Sequence, residues 1–457
     1  MMQTKHNVLF ELGIEELPAR FIDQAEQQLL TKTTEWLRDE RITYEKVESF
    51  SSPRRLAIAI KGIANKQETV VEKVRGPKID IAKDEDGNWT KAAIGFSKGQ
   101  GKDVDDIFIE EIKGVPYTFV EKRMEGKNTI DVLPDFKKII ESLHFPQTMR
   151  WGSLSFRFAR PIRWLVAMMD ETIIPIEVAN VTSSNVTYGH RFLGDKISLQ
   201  HPDEYEVKLE ENFVIANSQK REQFIIEQIN QLEKNQSFYI EQNEDLLNEV
   251  RNLVEYPTVF YGSFDEEYLS LPEEVLITSM REHQRYFPVF NNNKKERLLP
   301  HFVSVRNGDD RAIENVIQGN EKVLRARLSD ARFFFDEDRK NSIKFYTDKL
   351  KTVIFQEELG TMYDKSKRIT KLAASIGKLL DVTTDELTAI ERAASISKFD
   401  LVTNMVNEFP ELQGIIGEKY ALHYNESKEV AKTVREHYKP LHATDSLPSS
   451  KVAAIVS

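Results

Sequence analysis

Residues 8–36, VLFELGIEELPARFIDQAEQQLLTKTTEW, change their apolar period partway along. Val8 to Leu12 reads as a strand, whereas Phe21, Ile22, Ala25, Leu29, Leu30 and Trp36 recur at the spacing of one helix face. The period then switches back. Leu56, Ile58 and Ile60 suit a strand, and Ala57 and Ala59 are small enough to pack on either side of it. A chain that opens strand, helix, strand is α/β or α+β. Beyond it, GPKIDIAKDEDGNW and the glycine-spaced AAIGFSKGQGKD, between Gly76 and Gly114, suit a polar surface excursion. From Asp131 a helix containing PDFKKIIESLHF follows, with Pro134 near its first turn.

Residues 200–250 are strongly charged and largely helical in pattern, and the composition shift puts a boundary near His201–Pro202. Strand-like runs return at Thr258–Tyr261, Tyr286–Phe290 and Phe302–Val305. From Arg311 to Phe335 a helical pattern turns Ile313, Val316, Ile317, Val323, Leu324 and Leu328 inward. From about Asn341 the spacing is helical almost throughout. A length of 457 residues exceeds one ordinary core. The reading is an α+β multidomain protein, with a mixed α/β domain over 1–200, a mixed middle domain over 201–340 and an all-α unit over 341–457. The closing SSKVAAIVS shows neither cap nor terminating glycine and reads as an element cut short.

Composition excludes several classes. The chain has no cysteine, hence no disulfide framework, thiolate zinc site or thiol nucleophile, and a reducing compartment suits it. Neither a secretory signal nor an apolar run long enough for a bilayer is present, so the expected location is the cytoplasm, without membrane. The net charge of -11 rules out a basic nucleic-acid coat, but one local basic face can still bind RNA.

Such a face is offered by residues 149–166, MRWGSLSFRFARPIRWLV, where Arg150, Arg157, Arg160 and Arg163 interleave with Trp151, Phe156, Phe158 and Trp164. No Asp or Glu occurs between Ser142 and Met169. Guanidinium groups pair with phosphates and aromatic faces stack on unpaired bases. The same block also reads as a core with ion-paired arginines, because Leu154, Phe156 and Phe158 alternate with Ser153, Ser155 and Arg157 as a strand would. Both readings stand at this level. In TSMREHQRYFPVF, Arg281 and Arg285 share a helix face at i,i+4, where an anion or local acids such as Glu273, Glu274 and Glu282 would meet them. In GNEKVLRARLSDARFFFDEDRK, Lys322, Arg325 and Arg332 have Glu321, Asp330 and Asp336 close by, which favours pairing within the fold.

Catalytic signatures are scarce. There is no GxxxxGK[ST] loop and no HExxH, and the histidines form no local ligand set. Gly95–Gly99, GFSKG, matches GxSxG, but it lacks the buried strand that a nucleophile elbow requires. Acidic runs such as Glu15–Glu16 and Asp336–Glu337–Asp338 suit solvated faces or helix caps as well as acid–base chemistry.

The strings LFELGIEELPARFI, FPQTMRWG, RFARPIRWLV, YGHRFLG, LVEYPTVFYGSF, LPEEVLITSMREHQRYFPVF, GNEKVLRARLSDARFFFDEDRK and LVTNMVNEFPELQGIIGEKYA, taken in this order, closely resemble the β subunits of bacterial heterotetrameric glycyl-tRNA synthetases. The resemblance runs from Val8 to the last residue. It implies an α2β2 ligase that joins glycine to tRNA(Gly) at the expense of ATP, with ATP and Mg at the class II core of the α subunit. This chain would then bind no cofactor or metal and hold no catalytic residue. The residues expected to meet tRNA are Arg150, Trp151, Arg157, Arg160, Arg163, Arg191, Arg281, Arg285 and Arg325. The family continues into an anticodon-binding domain that this chain lacks, and the resemblance makes 341–457 an HD-like domain, incomplete at its C-terminal end. HD phosphohydrolases hold a divalent metal with His and Asp. Here the candidate position reads Lys398–Phe399–Asp400, and an ammonium repels a metal ion, so this unit is expected to be silent. Two alternatives stay open: an HD-type metal-dependent phosphohydrolase, and a purely structural assembly subunit.

Overall fold

A computed structural model describes residues 5–291 and 297–457. The chain forms two compact units, one of Met1–Gln223 with Arg251–Tyr256, the other of Phe224–Val250 with Pro257–Ser457. Residues 201–223 thus group with the first unit, so its limit falls later than the composition shift at His201. Among the described residues no helix is long and apolar enough to cross a membrane.

The first unit is built on the period switch. It contains β1 (Lys5–Ile14), α1 (Ala19–Asp39), β2 (Lys46–Ser52) and β3 (Arg55–Ala64). Alternation along β1 sends Val8, Phe10, Leu12 and Ile14 into a core with Phe21, Ile22, Ala25 and Leu29 of α1. Leu9 faces the other way, into a second core with Ala57, Ala59, Trp164 and Val166. A strand buried on both faces is a central strand.

Next come β4 (Val70–Lys78), the short helices α2 (Ile79–Ala82) and α3 (Lys91–Gly99), β5 (Phe108–Ile112) and β6 (Val115–Met124). They form a separate three-stranded sheet, order β4-β6-β5. The stretch expected as a surface excursion is therefore folded around Ala82, Ala93, Ile107 and Val120. Two of those four core residues are alanines, so the apolar signal in the sequence is faint. The GFSKG match lies in α3, where the Ser97 hydroxyl donates to the Ile94 carbonyl at 3.2 Å.

The main sheet resumes after α4 (Thr129–Val132) and α5 (Phe136–Glu141) with β7 (Ile162–Met169) and β8 (Thr172–Ile173). Its order is β2-β3-β1-β7-β8, antiparallel throughout. The strand that the alternation over 154–158 would allow does not form. That chain is irregular, with a single bridge between Met149 and Phe158 and Gly152 at φ +57°. Its aromatic residues pack as a cluster instead, Phe158 on Phe145 and on Phe156, and Phe156 on Trp151. Two ribbons, β9 (Glu177–Val178) with β10 (Val181–Thr182) and β11 (Val186–Tyr188) with β12 (Lys196–Ser198), lead to α6 (Tyr205–Glu211).

The helices α7 (Ser218–Gln236) and α8 (Glu244–Arg251) lie mostly in the second unit. Its sheet comprises β13 (Tyr239–Ile240), β14 (Pro257–Ser263), β15 (Phe287–Phe290) and β16 (Leu298–Asn307), in the order β13-β15-β16-β14. With α9 (Glu273–Gln284) and α10 (Ile313–Asp338) it shares one apolar core that runs from Phe260 to Val456. The region from 341 adds α11 (Ile343–Lys349), the hairpin β17 (Ile354–Gln356) and β18 (Gly360–Thr361), α12 (Met362–Leu379), α13 (Thr384–Ile396), α14 (Asn404–Glu408), α15 (Ile415–His423), α16 (Lys428–Glu436) and α17 (Lys451–Val456). The hairpin corrects the all-α expectation, and the shared core ties this region to the strands before it. The closing helix is capped after all, since the Ser450 hydroxyl accepts from the Ala453 amide.

Candidate functional site

Where β1 ends and β3 and β7 begin, Ile14, Glu15, Arg54, Arg163, Trp164, Tyr188 and Arg191 line an open cleft of about 380 Å³. Register explains its floor. Gly13 pairs with Arg55 on one side and Trp164 on the other, and a Cβ at Gly13 would stand 1.9 Å from the indole ring. Glycine alone admits Trp164 here. The indole N–H donates to Glu11 Oε1 at 2.6 Å, while the guanidinium groups of Arg54 and Arg55 lie 5.5 and 5.7 Å from the ring.

Beneath the cleft, Arg55 is fully buried between two carboxylates. Its Nη2 and Nε donate to Glu255 Oε1 at 3.0 and 3.1 Å, its Nη1 is 3.6 Å from Glu11, and its Nη2 also donates to the Tyr188 carbonyl at 2.9 Å. Burial opposes its charge, but Glu255 and Glu11 outweigh that and hold its pKa above the ordinary value. Glu255 is likewise held low, because Arg55 and the Ser52 hydroxyl overcome its burial. Glu11 is pushed up by burial, against Arg55, Thr187 and Trp164. The network anchors the floor as a charged, hydrogen-bonded unit.

The rim is cationic. Arg54, with 13% of its side chain exposed, stands 3.5 Å from Glu255, and its buried Nε has no hydrogen-bond partner among the described residues. Burial, together with the charges of Arg55 and Arg191, lowers its pKa against the pull of Glu255. Glu15 bridges two further arginines: Arg163 Nε lies 3.3 Å from Oε1 and Arg191 Nη2 lies 2.8 Å from Oε2. Arg191 also reaches Glu16 at 3.6 Å, and Arg160 Nε donates to the Glu16 carbonyl at 3.1 Å. Phe192, beside Arg191, is 85% exposed.

Of the residues singled out from sequence, Arg160, Arg163 and Arg191 therefore meet at one corner. Arg150, Trp151 and Arg157 lie on the irregular segment leading into it. Arg157 Nε donates to the Thr148 hydroxyl at 3.1 Å, Trp151 is half-buried against Phe156, and Arg150 is exposed. Neither Arg150, Arg157 nor Arg160 makes an ion pair among the described residues. In the second unit the arginines are paired: Arg281 with Glu241, Arg285 with Glu249 at 2.8 Å, and Arg325 with Asp265 at 3.3 Å. Arg285 ends α9 in the left-handed conformation, so it does not continue the helix face of Arg281. Sequence reading missed Arg54, Arg55, Tyr188 and Phe192. The first two were signalled by a double arginine opening an apolar strand, the last two by the aromatics flanking Arg191.

At Lys398–Phe399–Asp400, Asp400 Oδ2 accepts from the Gly414 amide at 2.6 Å, at the start of α15. Burial raises its pKa to about 6. The buried Lys398 ammonium lies 3.6 Å from the Tyr438 ring centroid, its pKa lowered by burial to about 8. Asp400 thus serves as a helix cap.

The sheet, the charged floor and the arginine-lined rim define an α+β protein with one open, charged cleft at the corner of its main sheet. The family model described as glycyl-tRNA synthetase beta subunit matches residues 8–457, and the chain belongs to that family. It is 56% identical over 451 residues to the glycine–tRNA ligase beta subunit of Oceanobacillus iheyensis, covering 99% of this chain and 65% of the relative. The corresponding protein of Bacillus subtilis is 50% identical over 454 residues, covering 99% of this chain and 67% of the relative. That of Halalkalibacterium halodurans is 52% identical over 454 residues, covering 99% and 65%. The chain thus spans a little under two thirds of the length of the first of these relatives.

Proposed function

We propose that this chain acts as the β subunit of a glycine–tRNA ligase, binding tRNA(Gly) and supporting an α subunit in the ATP-dependent attachment of glycine. The observation that carries the reading is the match to such subunits along residues 8–457. The cleft adds physical support, because three arginines gathered around the part-exposed carboxylate of Glu15, with Tyr188 in the same lining, suit a phosphate and an unpaired base. ATP and Mg are assigned to the α subunit, the assembly to an α2β2 heterotetramer, and the location to the cytoplasm, which suits a chain without cysteine. Residues 341–457 take a scaffolding part as the HD-like region, with Asp400 engaged at the start of α15.

Glycylation of tRNA(Gly) by a bacterial α subunit, alone and with this chain, tests the reading, with light scattering of each mixture. Co-assembly with a rise in glycylation is expected. Failure of this chain both to associate with the α subunit and to raise glycylation, where a full-length relative does both, overturns the reading for these residues.

A further inference from the structure

Resting on the tRNA-binding reading, we propose that the cleft is a subsite for the phosphate and base of one unpaired nucleotide, and that Glu15 occupies the phosphate position until that nucleotide arrives. Three observations converge. First, a carboxylate held by two arginines from different segments, Arg163 of β7 and Arg191 of the loop before β12, presents the geometry a phosphate would take. Glu15 is part-exposed, with 38% of its side chain in solvent, and sits on the bend after β1, so its carboxylate can swing away without disturbing the core. Second, Arg54 lines the same cleft with 13% of its side chain exposed, so a third guanidinium stands beside the position of the incoming phosphate. Third, Phe192 is almost wholly exposed beside Arg191, and Tyr188 packs its edge against Trp164 while remaining 38% exposed. A ring left in water beside Arg191, and a second in the cleft lining, offer stacking faces to a base.

The requirement for an unpaired nucleotide follows from the rings. A base within a duplex has both faces covered by its neighbours, so it offers no face to Phe192 or Tyr188. The same phosphate-plus-base chemistry is carried by an unpaired residue of an RNA strand and by a free nucleoside monophosphate, and the probes below separate the two. Because Glu15 competes with the ligand for the same donors, its removal should tighten binding. A carboxylate that only built the site would do the reverse.

The test is calorimetric titration of the chain with a mixed-sequence single-stranded hexaribonucleotide, with AMP, with a blunt 12-base-pair RNA duplex and with tRNA(Gly). The chain is used as wild type, Glu15→Gln, Phe192→Ala and Arg191→Ala. Glu15→Gln should tighten the hexamer about three- to tenfold. Phe192→Ala, which removes an exposed ring and leaves the core intact, should weaken it about fivefold or more and leave the duplex unchanged. Matching responses with AMP would assign the subsite to a free nucleotide as well, whereas responses confined to the hexamer and tRNA assign it to RNA. Affinity for the hexamer that is unchanged or weaker in Glu15→Gln, with unaltered circular dichroism, overturns the placeholder role. Wild-type binding of tRNA with no response to Glu15→Gln or Phe192→Ala overturns the subsite alone. No binding of tRNA by the wild type overturns the reading beneath it.

Discussion

Asp400 and His437 show how burial as the leading cause sets opposite pH dependences at two points of the second unit. His437 is pushed down to about 3 by burial, with the Lys398 charge adding to it, while its Nδ1 lies 2.7 Å from the Val434 carbonyl. An unfolded histidine titrates near ~6.5, so between these values the unfolded chain binds the extra proton and stability falls as pH drops. Asp400 is raised to about 6 by burial, and the unfolded carboxylate titrates near ~3.9. There the folded chain holds the extra proton, and stability rises as pH falls through 6. From pH 7 to pH 5 the advantage of wild type over His437→Gln should shrink by about 2 kcal/mol. Over the same range its advantage over Asp400→Asn should grow by about 1 kcal/mol. Urea unfolding at the two pH values measures both, and equal signs for the two variants would contradict the account. The lysine of Lys398–Phe399–Asp400 argued against a metal site from sequence alone. That Asp400 instead caps a helix 14 residues further on was not legible, because Gly414 gives no sign of its donor's destination.

At the scale of elements, the corner of β1, β3 and β7 depends on a buried arginine with two carboxylate neighbours. Arg55→Met would keep the volume and leave Glu11 and Glu255 without their central cation, an arrangement that destabilises by about 3–5 kcal/mol. Chemical denaturation checks this, and a change under about 1 kcal/mol would contradict the role given to the network. In the second unit Asp338 receives the Asn404 and Met405 amides, both at 2.9 Å, and the hydroxyls of Tyr346 and Tyr420 at 3.3 and 3.1 Å. Asp338→Ala should therefore lower stability by about 3 kcal/mol or more, read from the same curves. The elements themselves were legible wherever large apolar residues kept one period, as in β1, α1, β3 and α10. The fold over 76–114 was not, since alanines fill half its core, and neither was the irregular path of 154–158, where aromatic clustering overrides an alternation that fits a strand. Asp338 looked like one more member of an acidic run. Its five donors, the Asn404 side-chain amide among them, come from segments up to 82 residues away, a separation that no local pattern encodes.

For the whole molecule, a chain of net charge -11 is proposed to bind an anionic polymer, so the contact has to be local. The first unit supplies that locality by gathering Arg54, Arg163 and Arg191 at the mouth of one cleft and Arg160 beside it. The second unit ties Arg281, Arg285 and Arg325 each to a separate acid, whereas in the first unit Arg163 and Arg191 share Glu15. Sequence could name all of these arginines except Arg54. It could not say which of them share one acid and which have their own, because the partners Glu15, Glu241, Glu249 and Asp265 are placed by tertiary folding. The measurement that tests this most directly is the salt dependence of tRNA(Gly) binding, by fluorescence anisotropy, for wild type, Arg163→Ala, Arg191→Ala and Arg281→Ala. The slope of log affinity against log salt should fall by about one unit in each of the first two variants and stay unchanged in Arg281→Ala. Wild-type slopes for Arg163→Ala and Arg191→Ala, with a reduced slope for Arg281→Ala, would place the RNA on the second unit and contradict the cleft as the contact.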